Sequence, residues 1–217
     1  MKPLLTLLLT LLIGTNLFAT AQEPDKIIYK GKLYMLFSNP LEKYFEKYPD
    51  KRPKSKSMST ALWRGYIATF EVKEMQLFLK DIEIEYLDTT SKGRTEYKLQ
   101  SVLNEVFPNQ KEVKIDWLTG LLVIPRGKMK NYVHMGYGST FKKYTLLEIS
   151  KGDLKKEKRL SYKQYEKFKE KQFQAFRQTD EYLKIKNDLQ KNGTPDKFID
   201  SFLRSYIVGY TSKILTE

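Results

Sequence analysis

Near residue 160 the spacing of the apolar side chains changes from two to between three and four, and a chain with that switch is built from strands first and helices afterwards. Before the switch, Ile67, Thr69 and Glu71 alternate with Tyr66, Ala68, Phe70 and Val72, and Ile82, Ile84 and Tyr86 alternate with Asp81, Glu83 and Glu85. The polar link of residues 73–76 makes these two runs an antiparallel hairpin. Residues 26–37 read as extended, with a turn or bulge at Lys30-Gly31-Lys32. Val113, Ile115 and Trp117 alternate with charged neighbours. After a turn at Leu118-Thr119-Gly120, the run Leu121-Leu122-Val123-Ile124 is expected to end at Pro125, and residues 144–149 supply a further strand. Short helices are expected over 40–48 and 99–107.

After the switch, Ser161 with Gln164 three residues on forms a capping box, Thr179 re-caps a second helix that closes at Asn192-Gly193, and Thr194-Pro195-Asp196 opens a third. The stripe Phe198, Ile199, Phe202, Leu203, Tyr206, Tyr210 and Ile214 has the width of a buried face. The spacing therefore predicts an α+β domain: an antiparallel β-sheet with short helices over 22–160, followed by two or three C-terminal α-helices, 161–217, packed on it. Residues 1–21 stand apart. Lys2 precedes an almost unbroken apolar run, and Ala19-Thr20-Ala21 has the small-residue pattern of a cleavage site, so a signal peptide is expected to be removed before Gln22. The product is expected to be exported, periplasmic or secreted, with no membrane span after cleavage. It is not expected to be a lipoprotein, because no Cys follows the leader.

Residue counts remove several chemistries. With no Cys and one His, a thiol nucleophile, a thiolate cluster and a two-His metal motif are all excluded, and neither a metal nor a cofactor is expected. The formal charge of +13 favours anionic contacts, but only seven of the basic residues are Arg, whose planar fork serves specific phosphate and carboxylate recognition. Basic clusters fall at 51–56, 126–130 and 155–159, each on an expected loop, where solvated charge is the plain reading. No nucleic-acid motif accompanies them.

Two short segments hold the candidate site residues. The segment 131–140 contains the single His134 with Tyr132, Tyr137, Ser139 and two glycines. His134 beside a hydroxyl is a candidate acid or base, with Asp116 and Ser139 as candidate catalytic partners, although no Gly-x-Ser-x-Gly elbow is present. The plain reading is a hydrogen-bonded structural imidazole. Trp63-Arg64-Gly65-Tyr66 sets an Arg between aromatic rings, an arrangement suited to stacking on a sugar, a base or another chain. The alternative is an internal anchor in which Arg64 pairs with a carboxylate such as Asp116. Asp81, Glu83 and Glu85 share a strand face, which marks solvent exposure more often than a cation site.

The phrases Ala61-Leu62-Trp63-Arg64-Gly65-Tyr66, Asp116-Trp117-Leu118-Thr119-Gly120 and His134-Met135-Gly136-Tyr137-Gly138-Ser139, in that order, resemble a family of uncharacterised bacterial proteins. The resemblance covers residues 29–149 and leaves out the helical tail. That family has no assigned activity, so the resemblance implies no reaction. The expected function is a binding or interaction protein of the bacterial envelope, with Trp63, Arg64, Tyr132, His134 and Tyr137 as ligand contacts and an anionic envelope polymer or a partner protein as partner. The alternative is a hydrolase-like enzyme using His134 with Asp116 or a nearby hydroxyl.

Overall fold

In the computed structural model, which describes residues 22–54, 60–89, 93, 95–134 and 136–215, the sheet is assembled from hairpins whose turns the sequence dictates. Strands β1 (Asp25–Tyr29) and β2 (Lys32–Leu36) turn through Lys30 and Gly31 at φ 52° and 72°. Strands β3 (Ile67–Lys73) and β4 (Gln76–Thr89) turn through Glu74 and Met75 at 50° and 61°. Strands β8 (Thr140–Ser150) and β9 (Asp153–Ser161) turn through Lys151 and Gly152 at 49° and 81°. Two-residue turns with both φ values positive match the right-handed twist of the strands they join. The expected leader, residues 1–21, and part of the first basic cluster lie outside the described residues.

The strands run in the order β2-β1-β3-β4-β9-β8-β7, where β7 is Gly120–Asn131, while β5 (Thr95–Ser101) and β6 (Val113–Lys114) pair with β4. The sheet is mixed, not purely antiparallel as expected. β1 and β3 are parallel, with Ile27 opposite Phe70. The cause is the connection between β2 and β3, which carries α1 (Glu42–Lys47), leaves β2 beside the start of β1 and enters β3 at that same end on the far side of β1. The sheet curls until its ends meet: Phe37, just past β2, donates its N–H to the Val123 carbonyl of β7 at 2.8 Å.

This curl explains why β7 and β8 carry unbroken apolar runs. Leu122, Ile124, Leu147 and Ile149 point inward to a core with Ile27, Phe70 and Phe45 of α1. Leu121, Val123, Tyr144 and Leu146 point outward, under α3 (Tyr162–Phe176), α4 (Asp180–Lys191), α5 (Asp196–Ser205) and α6 (Ile207–Tyr210). A strand buried on both faces loses its alternation. The Ser161–Gln164 capping box opens α3, and Thr179 caps α4. Gln172 of α3 is fully buried, and its amide binds Thr211 Oγ1, the Lys213 carbonyl and the Leu215 N–H, which holds the last described segment against the helix.

Four local expectations are corrected. β7 continues through Pro125 to Asn131. Val123 points both its N–H, to Ser38 Oγ, and its carbonyl, to Phe37, away from β8; by the two-residue period Pro125 points the same way, so its missing donor interrupts no bond to β8. The basic run 155–159 is strand β9, not loop. β9 meets β4 only at Gln76 and Asp153, so it is nearly an edge, where Lys side chains deter pairing with other chains. Residues 99–101 belong to β5, opposite Glu83–Glu85 of β4, and the expected helix shrinks to α2 (Leu103–Val106). In α5 only Ile199 and Leu203 are buried, whereas Phe198, Phe202 and Tyr206 are 54%, 40% and 60% exposed. The helix breaks at Tyr206, and Ile207 and Val208 of α6 take the buried place that a continued stripe would have filled.

Candidate functional site

Because the helices cover only part of the outer face of β7 and β8, a cleft of about 750 Å³ remains between sheet and helices. The sheet contributes Leu121, Val123, Thr140 and Tyr144; the helices contribute Tyr165, Lys169, Phe202, Tyr206 and Tyr210. Phe37, Asn39, Lys43, Trp63 and the loop of Gly136–Ser139 complete the wall. Its size falls in the range of small-ligand sites, and its lining is aromatic with scattered hydroxyl and amide groups. Trp63 is 69% exposed at the rim. Deeper, Tyr144 and Tyr165 stack at 4.1 Å.

One wall is fixed from beneath by a buried ion pair. Arg64 and Asp25 side chains are fully enclosed, with Arg64 Nη2 3.0 Å from Asp25 Oδ1. Asp25 Oδ1 also accepts the Ala68 N–H at 2.9 Å. Arg64 Nη1 donates to the Tyr137 hydroxyl at 2.8 Å, and Tyr137 donates onward to Asn39 Oδ1 at 2.7 Å while its ring stacks on Phe37 at 4.7 Å. The ion pair thereby reaches through Tyr137 to hold the loop after His134 in place. Burial also acts on the hydroxyl, raising the Tyr137 pKa, so it remains a neutral donor.

The sequence-predicted residues divide. Arg64 and Tyr137 meet, but Arg64 is an internal anchor, and its carboxylate is Asp25, not Asp116. Trp63 and Tyr137 line the cleft. Tyr132 and His134 are exposed and pack edge-to-face at 4.6 Å. Ser139 spends both its capacities on Val133, accepting its N–H at 3.0 Å and donating to its carbonyl at 3.3 Å. Asp116 precedes the Gly120 end of β7 and His134 follows its Asn131 end, and a strand of that length spans roughly 35 Å. The candidate triad is thus spread along β7. Asp81 accepts from Ser101 and Glu83 pairs with Lys26, and among the described residues no group of three His, Cys, Asp or Glu gathers to hold a metal.

Comparison of the chain with protein-family models, with curated proteins and with solved structures gives no match. The function has to come from the geometry. Sequence reasoning missed Asp25, Phe37, Asn39, Tyr144, Tyr165, Phe202 and Tyr206. A signal existed for Asp25, the one acid that opens a strand otherwise made of inward Ile27 and Tyr29. The others are scattered over four elements and become neighbours only through the curl of the sheet.

Two of the three basic clusters are brought together, since β7 and β9 flank β8, where Lys142 and Lys143 add to them. Arg126 stands opposite Lys143, donates to Thr145 Oγ1 at 3.3 Å and lies over the Tyr34 ring. Nearby, Glu157 accepts from Lys30 at 2.6 Å and Arg159 at 2.7 Å. Burial would raise its carboxyl, but these hydrogen bonds and one from Tyr29 outweigh it and hold the pKa down at about 2. Asp25 is the opposite case: burial pushes its carboxyl up to about 6, only partly offset by Arg64. The two groups should act on stability with opposite signs. The Glu157 contribution is present above its ordinary value of 4.5 and lost as pH falls through about 2. That of Asp25 is present below 3.8 and lost as pH rises through about 6. Urea midpoints across this range are expected to show the gap between wild type and Glu157→Gln closing as pH falls from 4.5 towards 2. A constant gap would show that the charge of Glu157 is not what the site uses.

Proposed function

We propose that the protein is an exported binding protein of the bacterial envelope, with its ligand seated in the cleft between sheet and helices and the basic strands β7–β9 supplying further contacts. The observation that carries this reading is the exposed aromatic set Trp63, Phe202 and Tyr206 around a concave wall whose shape is fixed by the buried Asp25–Arg64 pair. Large apolar rings held open to water at a cleft mouth are costly surface unless something covers them. Export rests on the leader in residues 1–21. The hydrolase reading has less support, because Ser139 is committed to the Val133 backbone and Asp116 and His134 flank opposite ends of β7.

The test is retention. Purified protein passed at low salt over immobilised envelope extract is expected to be held. Substituting Trp63→Ala together with Tyr206→Ala, both exposed and so neutral for folding, is expected to weaken retention at least about tenfold, as loss of aromatic anchors does. Raising salt should weaken only the part due to the basic strands. Equal retention of the double variant would move the site elsewhere.

A further inference from the structure

We propose that the cleft takes an uncharged glycan chain, an inference that rests on the binding reading above and names its ligand class. Several hydroxyl groups of the cleft-lining residues have hydrogen-bonding capacity unspent. Ser38 Oγ accepts the Val123 N–H at 3.1 Å, and the Tyr144 hydroxyl accepts the Phe141 N–H at 2.9 Å. A hydroxyl has one proton to donate besides its lone pairs, and neither of these donates to another described residue. Thr140 goes further. Its Oγ1 is buried with no hydrogen-bond partner, in a residue that lines the cleft, and χ1 rotation is the movement by which a ligand there would satisfy it.

Three cleft-lining residues, Ser38, Thr140 and Tyr144, thus carry O–H groups with no acceptor among the described residues, which favours a ligand rich in acceptor oxygens. The opposite requirement comes from the rim, where Trp63, Phe202 and Tyr206 present flat apolar faces. A sugar ring supplies both, with C–H bonds on its faces for the aromatic rings and ether and hydroxyl oxygens around its edge. A hydrocarbon tail would meet the rings but leave the hydroxyls desolvated without acceptors.

Charge completes the choice. Within the cleft, Lys169 is paired with Glu166 at 2.9 Å, and Lys43, which donates to the Thr119 carbonyl at 3.1 Å, is the one charge among the described lining residues that no acid balances, so the lining carries no cluster of cations for an anionic ligand. The basic excess of the molecule lies instead on strands β7, β8 and β9, whose Lys and Arg residues are divided between the two faces of the sheet. The ligand that complements the cleft itself is neutral.

The experiment uses the full chain with Trp117→Phe, which leaves Trp63 as the sole tryptophan, excited at the red edge where the 15 tyrosines do not absorb; Trp117 is half-buried and its Nε1 has no partner, so Phe forfeits no hydrogen bond. The probes are cellohexaose, maltohexaose, xylohexaose, mannohexaose and hexa-N-acetylchitohexaose, with dodecanoate, heparin and an apolar hexapeptide as the competing chemistries. At least one hexasaccharide is expected to shift Trp63 emission with a Kd below about 1 mM, unchanged between about 50 and 500 mM salt. Thr140→Val, which keeps the shape and removes the hydroxyl, is expected to weaken that binding about tenfold while Tm stays level or rises, because the hydroxyl has no protein partner to lose. Unchanged affinity in that variant overturns the hydroxyl argument. Silence towards every hexasaccharide, with a response to dodecanoate, heparin or the peptide, overturns the glycan and leaves the cleft as the seat. Silence towards all probes and towards envelope extract overturns both readings.

Discussion

Replacing Arg64 with methionine is expected to lower unfolding free energy by about 3–5 kcal/mol, because it removes one partner of a buried ion pair and leaves the other charge in the core. For a domain of this size the loss corresponds to a fall in Tm of roughly 10 °C, measurable by calorimetry. Methionine fills most of the volume, so the effect reads the charge and its hydrogen bonds more than a cavity. Three acceptors lose the hydrogen bond that Arg64 gives them: Asp25 Oδ1, which keeps the Ala68 N–H, the Glu23 carbonyl and the Tyr137 hydroxyl. The double variant Arg64→Met with Asp25→Leu should recover part of the stability, since no charge then remains buried. Recovery will be incomplete, because Ala68 N–H loses its acceptor in Asp25. A coupling below about 0.5 kcal/mol in this cycle would show that the two side chains do not act as a pair.

A second large loss is expected at a position with no side chain. Gly152 sits in the β8–β9 turn at φ +81°, and a Cβ there would stand 2.4 Å from the Ile115 carbonyl oxygen and 2.9 Å from its carbon. Both obstacles are backbone. Gly152 also ties three segments, accepting the Leu77 N–H at 2.8 Å and donating to the Leu118 carbonyl at 3.0 Å. Gly152→Ala therefore meets the left-handed penalty and a clash that cannot yield without moving the strands, and is expected to cost about 3–5 kcal/mol. Gly31→Ala, at φ +72° with open space around it, supplies the control. It should cost only the conformational term, about 1–2 kcal/mol. Equal losses in urea unfolding would show that the approach to Ile115 is not tight.

The contrast between these glycines shows what the sequence can and cannot disclose. Turns, caps and alternating strands are local, so the turns at Lys30–Gly31 and Glu74–Met75, the Ser161–Gln164 box and the Thr179 cap could be read from neighbouring residues, whereas the β8–β9 turn went unread with β9 itself. The parallel pairing of β1 with β3 could not, since it depends on where the connection through α1 lands. β9 was hidden for another reason. Its charged residues fit a solvated loop equally well, and only pairing with β8 decides between the two. In the site, Trp63, Arg64 and Tyr137 were legible as unusual residue types, yet their roles were not. Arg64 went inward because Asp25 waits at the start of β1, and Tyr137 became the link between that pair and the cleft. The exposed rings of α5 were misread as core because a stripe of that width has no label saying which of its residues the sheet leaves uncovered.

The central claim is that the cleft, with Trp63 at its rim, is the seat of the ligand. Two tryptophans make a direct test, because each indole N–H gives its own signal in a nitrogen-15 spectrum and Trp117→Phe assigns them. Titration with the ligand fraction released from retained envelope extract should move the Trp63 indole signal more than that of Trp117, which packs against Tyr44 and Phe107 and does not itself line the cleft. A ligand that binds while the Trp63 signal stays still would contradict the account.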